Sequence, residues 1–429
     1  MKILGLNIFR SHWSFEYLYM IVMIIYMAKM TPETSRMVGS LSGNPIPFLI
    51  PIVLTGILLS RHKVNFKDKA LWLLLGIFCF WAVLVLMKYN GFNSENMSYM
   101  FFVVYPIIIA YIHVRVFRHS LFYWYEEIVI DFCKISLLLW TFSVCFHSIA
   151  ASFFSLFPRV TFGPNFLYIF HFMDTNQYYY GIMRNAGMSW EPGRFAIMIC
   201  LAIYINLSRN GITFKNNKNI IILLVALATT MSTTGYVICF VTYIIFYIKK
   251  FSYKNLLKFS FVIIPLCIVF IRIDFIGEKI QDRLQISDQN DKLETSINYH
   301  SQYTDEHLKS LDRFQALYFE FENFKTDPLL GYTPNAKYSY FYKEYTNLYS
   351  LTGGLMKVFS CFGIFLGGLF YYCLVKSSIR CASIFPFRRK YALLMVILLS
   401  SISYPIFCQP IYTAIWFYGI FSHSDIHLK

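Results

Sequence analysis

The sequence has little charge for a chain of 429 residues. Asp, Glu, Lys and Arg make up 14% of it, whereas a soluble domain averages about 25%. Hydrophobic residues make up 57%. This leaves too little polar surface to keep a folded chain in solution, so an ordinary soluble globular protein is excluded. Lipid is the expected solvent for most of the chain.

The two longest polar segments, residues 158–191 and 274–352, contain no cysteine although the chain has 10. A disulfide framework or a zinc site would place cysteines there, so neither is indicated. The acidic run between Asp288 and Glu294 lacks the glycine and the spacing of a calcium loop. We therefore predict neither a metal site nor a cofactor.

Long apolar runs occupy most of the remaining sequence. About 20 apolar residues span a bilayer as a helix, and these runs predict an all-α, polytopic integral membrane protein with about 12 transmembrane helices. The runs cover residues 14–29, 45–60, 70–88, 98–117, 128–157, 192–207, 219–233, 235–251, 256–273, 353–377, 390–404 and 405–421.

The basic residues alternate between loops. One side of the predicted membrane region carries Arg61, Lys63, Lys67, Lys69, Arg115, Arg118, Arg209, Lys215, Lys218, Lys249, Lys250, Lys254, Lys258, Lys376, Arg380, Arg388, Arg389 and Lys390; the short loops of the other carry Lys29, Arg36 and Lys88. Cytoplasmic loops are the basic ones, so both termini are expected in the cytoplasm. Topology thus explains most of the net charge of +15, and nucleic acid is excluded as a partner.

This topology divides the chain into five parts. Residues 1–157 hold helices 1–5, and residues 158–191 form a first large outer loop. Residues 192–273 hold helices 6–9, and residues 274–352 form a second large outer loop. Residues 353–429 hold helices 10–12 and a short cytoplasmic tail.

The second loop contains a stretch with aromatic and aliphatic residues at three- and four-residue spacings, from Asp312 to Lys325. This spacing predicts an amphipathic helix that lies on the membrane surface or caps a cavity.

The densest group of unusual residues is R-N-A-G-M-S-W-E-P-G-R-F-A, from Arg184 to Ala196. Pro192 fits the first position of a helix, which would place Arg194 one turn in. A helix start and two arginines together suit a phosphate or a diphosphate, and Glu191 could accept a proton from a sugar hydroxyl or hold the arginines. A structural alternative stays open, in which Glu191 complements the helix dipole and Arg194 reaches to the interface.

This patch resembles the signature of the O-antigen and capsular polysaccharide polymerases of the Wzy type, within the O-antigen ligase and polymerase superfamily. Further resemblance lies in M-S-T-T-G-Y-V at Met231–Val237, in the stretch Arg313–Tyr332, in T-N-L-Y-S-L at Thr346–Leu351, and in C-F-G-I-F-L-G-G at Cys361–Gly368.

The resemblance implies a glycosyltransferase in the bacterial inner membrane. It would join polyprenyl-diphosphate-linked oligosaccharide repeats at the periplasmic face, with the lipid diphosphate as leaving group and no metal. The implied partners are an undecaprenyl-diphosphate-linked donor and acceptor, membrane lipid, and a chain-length regulator as a further candidate.

The candidate catalytic residues are Arg184, Glu191 and His307, and the candidate substrate-binding residues are Arg184, Arg194, Arg313, Tyr332 and Asn347. Arg313 would approach the diphosphate from the second loop or pair with a nearby carboxylate. His307 is a possible base or merely an exposed histidine, and Tyr332 could stack on a sugar ring.

Other functions remain open. An O-antigen ligase usually has a histidine where Thr346 stands and Ser-Arg where Thr233 and Thr234 stand. A lipid-linked oligosaccharide flippase would have functional charges in the middle of the membrane and small outer loops. This sequence shows the reverse, although Glu16, Asp131 and Lys134 near predicted helix ends keep that alternative open. A membrane acyltransferase would need a histidine-centred site, which the sequence does not indicate.

Overall fold

A computed structural model describes residues 2–3, 6–7, 14–28, 46–89, 91–160, 163–173, 178–179, 181–214, 217–248, 309–310, 313–340, 349–350, 354–407 and 409–422. This part of the chain is mostly helical. Its helices are α1 Phe15–Ala28, α2 Ile46–Arg61, α3 Lys69–Lys88, α4 Ser94–Phe117, α5 Ser120–Cys145, α6 His147–Phe154, α7 Pro192–Asn210, α8 Lys218–Thr230, α9 Thr233–Tyr247, α10 Arg313–Thr326, α11 Lys357–Ile384, α12 Ala392–Ser403 and α13 Pro410–Phe421.

The strands are short. They are β1 Lys2–Ile3, β2 Leu6–Asn7, β3 Arg159–Val160, β4 Gly163–Phe166, β5 Phe170–His171, β6 Tyr178–Tyr179, β7 Ile182–Met183, β8 Lys309–Ser310 and β9 Tyr349–Ser350. The antiparallel pairs are β1 with β2, β4 with both β3 and β5, and β6 with β7. Strands β8 and β9 pair in parallel.

The helices follow the apolar runs of the sequence. Three of them, α3, α5 and α11, are long and apolar enough to cross a membrane, and several others are apolar but shorter. The predicted run at 256–273 lies outside the described residues.

Several helix boundaries differ from the predictions, including the start of α5 at Ser120 where the predicted run begins at 128. The run predicted at 128–157 is two helices, because Phe146 has a non-helical backbone between α5 and α6. The run predicted to end at 377 continues to Ile384, and Ser377 is buried inside α11. Hydropathy places a helix in the sequence, but its ends depend on capping and packing.

Two helices, α7 and α13, lie inside the bundle. Nearly every residue of both is buried, as expected for helices that are hydrophobic all round. The Ser377 hydroxyl donates to the Trp416 carbonyl at 2.7 Å and accepts from the Gly419 amide at 2.7 Å. A Cβ at Gly419 would lie 2.5 Å from backbone atoms of Lys376, so α11 and α13 approach each other at their backbones.

The long helix α11 is broken at Gly363, whose φ of 69° is not helical. The segment that follows α10 lies in this break. The amides of Tyr332 and Thr333 donate to the carbonyls of Ser360 and Cys361 at 2.9 and 3.2 Å, and the Ile364 amide donates to the Pro328 carbonyl at 2.8 Å. Backbone groups that the break frees thus find partners in residues 328–333.

The same segment is attached to the end of α3. Lys88 Nζ donates to Asp327 Oδ2 at 2.5 Å, and the Tyr89 hydroxyl donates to the same oxygen at 3.0 Å. The Trp81 indole donates to the Leu330 carbonyl at 2.8 Å. Residues 327–330 therefore join α3 to α10 and α11.

The structure has a helix, α10, where the spacing from Asp312 to Lys325 predicts one. It packs on α11 through Ala316, Phe319, Glu320 and Asn323, which are buried, whereas Tyr318 and Phe321 of the predicted aromatic face are exposed.

Replacement of Gly363 by alanine tests the break. A Cβ there would overlap the backbone of Leu329, and alanine disfavours a positive φ. We expect Gly363→Ala to lower the unfolding free energy by about 3 kcal/mol, measured as a lower thermal midpoint in detergent. Gly368→Ala is the matched control, since Gly368 lies on the same helix and a Cβ there would meet nothing within 4 Å. Equal midpoints for the two variants would contradict this account.

Candidate functional site

The loop before α7 folds back tightly. Gly187 has a φ of 53°, and a Cβ there would lie 2.5 Å from the ring of Phe195, so only glycine fits. The Asn185 side chain accepts from the Gly187 amide at 2.9 Å and donates to Thr229 Oγ1 at 2.9 Å. These contacts fix the chain between Arg184 and the start of α7.

Arg184 contacts the turn between α8 and α9. Its Nε donates to the Thr230 carbonyl at 3.1 Å and its Nη2 to the Met231 carbonyl at 3.3 Å. Met231 is in the left-handed conformation and ends α8, and Ser232 caps α9. Two of the sequence patches, Arg184–Ala196 and Met231–Val237, therefore form one structural unit.

The Arg184 guanidinium is partly desolvated. Its central carbon lies 5.3 Å from the centroid of the Tyr179 ring. Burial lowers the pKa of the Arg184 guanidinium, while Tyr179 and Glu191 act in the opposite direction. The attraction between a cation and an anionic ligand is stronger where the cation is shielded from water than where it is exposed.

The helix α7 begins at Pro192, as the sequence predicts, with Glu191 as its N-cap residue. The amides of Arg194 and Phe195 both donate to the Glu191 carbonyl at 3.2 Å. The Glu191 carboxylate interacts electrostatically with Arg184 and Arg194. Glu191 therefore complements the helix start and both arginines at once.

Arg194 is 8% exposed. Its guanidinium carbon lies 5.8 Å from the Trp190 ring and 5.9 Å from the Tyr404 ring. The Arg194 side chain therefore lies inside the bundle, beside two aromatic rings.

The end of α12 completes the site. The Tyr404 hydroxyl would lie 2.9 Å from a Cβ at Gly193, so this glycine gives the tyrosine room beside the start of α7. Ser403 Oγ and Thr234 Oγ1 are hydrogen-bonded at 2.9 Å, which joins α12 to α9. We call Tyr179, Arg184, Trp190, Glu191, Arg194 and Tyr404 the arginine site.

The structure does not bring every predicted residue to this site. His307 and Asn347 lie outside the described residues, and Arg313 is the first residue of α10. Tyr332 is 3% exposed, so the prediction that its ring stacks on a sugar is wrong for this structure, because no ring face is accessible.

Tyr332 instead belongs to a buried polar group around Glu320, which is fully buried. Ser360 Oγ donates to Glu320 Oε2 at 2.5 Å, and Asn323 Nδ2 and the Tyr332 hydroxyl donate to the same oxygen at 3.4 and 3.5 Å. Burial, with Cys361 and Glu320 nearby, raises the pKa of the Tyr332 hydroxyl well above its usual value. The tyrosine is thus held as a donor.

Sequence reasoning missed Tyr404 and Glu320. Tyr404 is one of many tyrosines in apolar runs, and nothing in its neighbourhood marks it. Glu320 lies on the predicted amphipathic helix at a position outside its apolar face, so its burial has no local signal. Among the described residues, no group of three His, Cys, Asp or Glu side chains could hold a metal ion.

Comparison of the chain with protein-family models and with curated proteins finds no match. The function is therefore argued from the chemistry of the arginine site.

The bonds from Arg184 to the α8–α9 turn can be tested by stability. Arg184→Ala leaves two carbonyls without these donors, and hydrogen bonds to a charged group contribute about 1.5–3 kcal/mol each. We expect a fall of at least about 3 kcal/mol in the unfolding free energy, measured as a lower thermal midpoint. Arg159→Ala is the control, since Arg159 is an exposed arginine in the same stretch between α6 and α7, and should change little. An unchanged midpoint for Arg184→Ala would mean that Arg184 does not hold the turn.

Proposed function

We propose that the chain polymerises oligosaccharide repeats carried on a membrane lipid diphosphate, as the resemblance to Wzy-type polymerases implies. The observation that carries this proposal is the arginine site. Arg184 and Arg194 lie beside the start of α7, and Glu191 stands between them in the sequence. Arg184 is partly buried and Arg194 is buried. Such a site suits a multivalent anion.

The chemistry needs charge stabilisation on the donor side. The bond between the anomeric carbon and the diphosphate oxygen breaks, and the diphosphate leaves with an added negative charge. Arginine forks and the positive end of the α7 dipole stabilise that charge most as it develops. Arg184 and Arg194 therefore serve as the diphosphate clamp.

The acceptor side needs a base for one hydroxyl proton. The Glu191 carboxylate interacts electrostatically with both arginines. This supports its assignment as the base that accepts the proton as the new glycosidic bond forms. The faces of Trp190 and Tyr404 hold the Arg194 guanidinium. In this role the aromatic residues position the clamp.

The proposal includes a topology of about 12 transmembrane helices with both termini in the cytoplasm and the two long loops outside, in the bacterial inner membrane. The alternation of basic residues between loops supports it. Arg184 and Glu191 then face the compartment in which the lipid-linked glycan is exposed.

Cysteine labelling tests this orientation. Ser155 and Ser383 are both exposed and belong to opposite sides of the proposed topology. In a background in which the exposed Cys79 and Cys145 are serine, an impermeant reagent on intact cells should label Ser155→Cys and spare Ser383→Cys. Permeabilised cells, in which both should react, are the control. Labelling of Ser383→Cys alone in intact cells would reverse the topology and remove the proposal.

A flippase is the second candidate, and one observation favours it. Asp131 and Lys134 are paired at 2.6 Å near the middle of α5, a helix able to cross a membrane, and Asp131 is buried. The sequence-based expectation placed these charges near helix ends, which the bounds of α5 correct. Charges at that depth are typical of transport pathways.

A reconstitution assay separates the candidates. Purified protein supplied only with a lipid-diphosphate repeat unit should extend it into a ladder without nucleotide. Arg184→Lys and Arg194→Lys should each reduce the rate on the order of 100-fold, because lysine keeps the charge and loses the planar fork. Arg159→Lys is the matched control and should retain the ladder.

The outcomes exclude one another. A product formed only after addition of a lipid A core acceptor would identify a ligase. Transbilayer movement without a new glycosidic bond, sensitive to Asp131→Asn, would identify the flippase. Thermal midpoints of the arginine variants distinguish lost chemistry from lost structure.

A further inference from the structure

The short helix α6 has apolar residues on two of its faces. One face, with Ala150 and Phe154, is buried in a small hydrophobic cluster formed with β5 and β7. The other face is a stripe at three- and four-residue spacings, Phe146, Ile149, Phe153 and Leu156, and all four side chains are exposed, Leu156 at 79%. The second face therefore has no cover within the described chain.

Serines separate the two apolar faces on one side. Ser148, Ser152 and Ser155 lie along a third line of the helix. Ser152 Oγ donates to the Ser148 carbonyl at 3.0 Å, and Ser155 Oγ donates to the Ser152 carbonyl at 2.7 Å. The helix is thus divided into a packed face, a polar edge and an exposed apolar stripe.

The hairpin β4–β5 extends the stripe. Its tip presents Leu167 and Tyr168, which are 60% and 62% exposed and have φ values of 48° and 59°. Positive φ at such residues is uncommon. Phe166, beside the tip, packs against Phe153 and Phe157 at ring distances of 5.8 and 4.8 Å. The tip and the stripe therefore belong to one surface.

This surface continues the outside of a membrane-spanning helix. Only Phe146 separates α6 from α5, which is long and apolar enough to cross a membrane, and Val144 at the end of α5 is also exposed. Residues 135–158 contain no Asp, Glu, Lys or Arg, and the exposed Arg159 follows directly. An apolar surface that leaves a span and ends at a cation fits the boundary between acyl chains and phosphate headgroups.

We propose that α6 and the β4–β5 tip are seated in the bilayer leaflet at which α5 ends, with lipid covering the stripe and with the serines toward the headgroups. A contiguous apolar patch of this kind is unusual on a surface in water. The seat does not depend on the proposed chemistry.

The seat has a consequence for the arginine site. The Tyr178 hydroxyl and His147 Nδ1 are 3.4 Å apart, which links the first residue of α6 to β6. The next residue, Tyr179, stacks near Arg184. A seated α6 thus holds Arg184 near the level of the lipid headgroups, where a lipid diphosphate lies.

Photo-crosslinking in nanodiscs of phosphatidylethanolamine and phosphatidylglycerol tests the seat. The photoreactive amino acid p-benzoylphenylalanine is incorporated in place of Leu156, or in place of Ser152 as the matched control on the polar edge. Both positions are exposed, so neither replacement enters the core. After irradiation, mass spectrometry should find several-fold more phospholipid adduct from position 156 than from position 152.

Three results would overturn the proposal. A crosslinked dimer from position 156 would show that a second copy covers the stripe. An adduct with another segment of the same chain would show that the protein covers it. Lipid adducts no more frequent at position 156 than at position 152 would show that the stripe does not face the acyl chains.

Discussion

Backbone carbonyls and amides that lose their helical partners in apolar surroundings must find new partners inside the protein. Two places in this chain depend on that constraint. At the end of α8 the Arg184 side chain supplies donors to Thr230 and Met231. At the break in α11 the backbone of residues 328–333 supplies the partners. In both places, hydrogen bonds to the freed backbone groups hold together segments that are far apart in the sequence.

The bonds from Arg184 to the α8–α9 turn also hold this side chain in place. Arg184 is attached to the α8–α9 turn, Asn185 to Thr229, and the loop is closed by Gly187 against Phe195. In the proposed reaction, an arginine held this way needs little reorganisation to meet a diphosphate, which is the condition for strong electrostatic stabilisation. The same residue can thus support the fold and, as proposed, the reaction.

The charges inside the bundle differ in how they are held. Asp131 and Lys134 neutralise each other on one helix, and Glu126 on α5 is paired with Arg209 at 2.7 Å and with Asn206 at 2.7 Å. Arg194 is held largely by aromatic faces and by the nearby Glu191. These surroundings hold the Arg194 guanidinium in place, which suits the anion-binding role proposed for it.

The sequence alone determined where the helices lie and where α7 begins, because hydropathy and the preference of Pro192 for a first helical position are local properties. It also located the patch around Arg184 and Glu191. It did not determine that Arg184 contacts Thr230 and Met231, which follow it by 46 and 47 positions in the sequence. It also did not determine that Tyr404 faces Arg194. Burial of Tyr332 with Glu320, and the exposed stripe of α6, were decided only by tertiary structure. The physical reason is that the composition of a helix makes it apolar, whereas packing against neighbouring elements decides which of its faces is covered. The same packing decides which charged or polar side chains are buried.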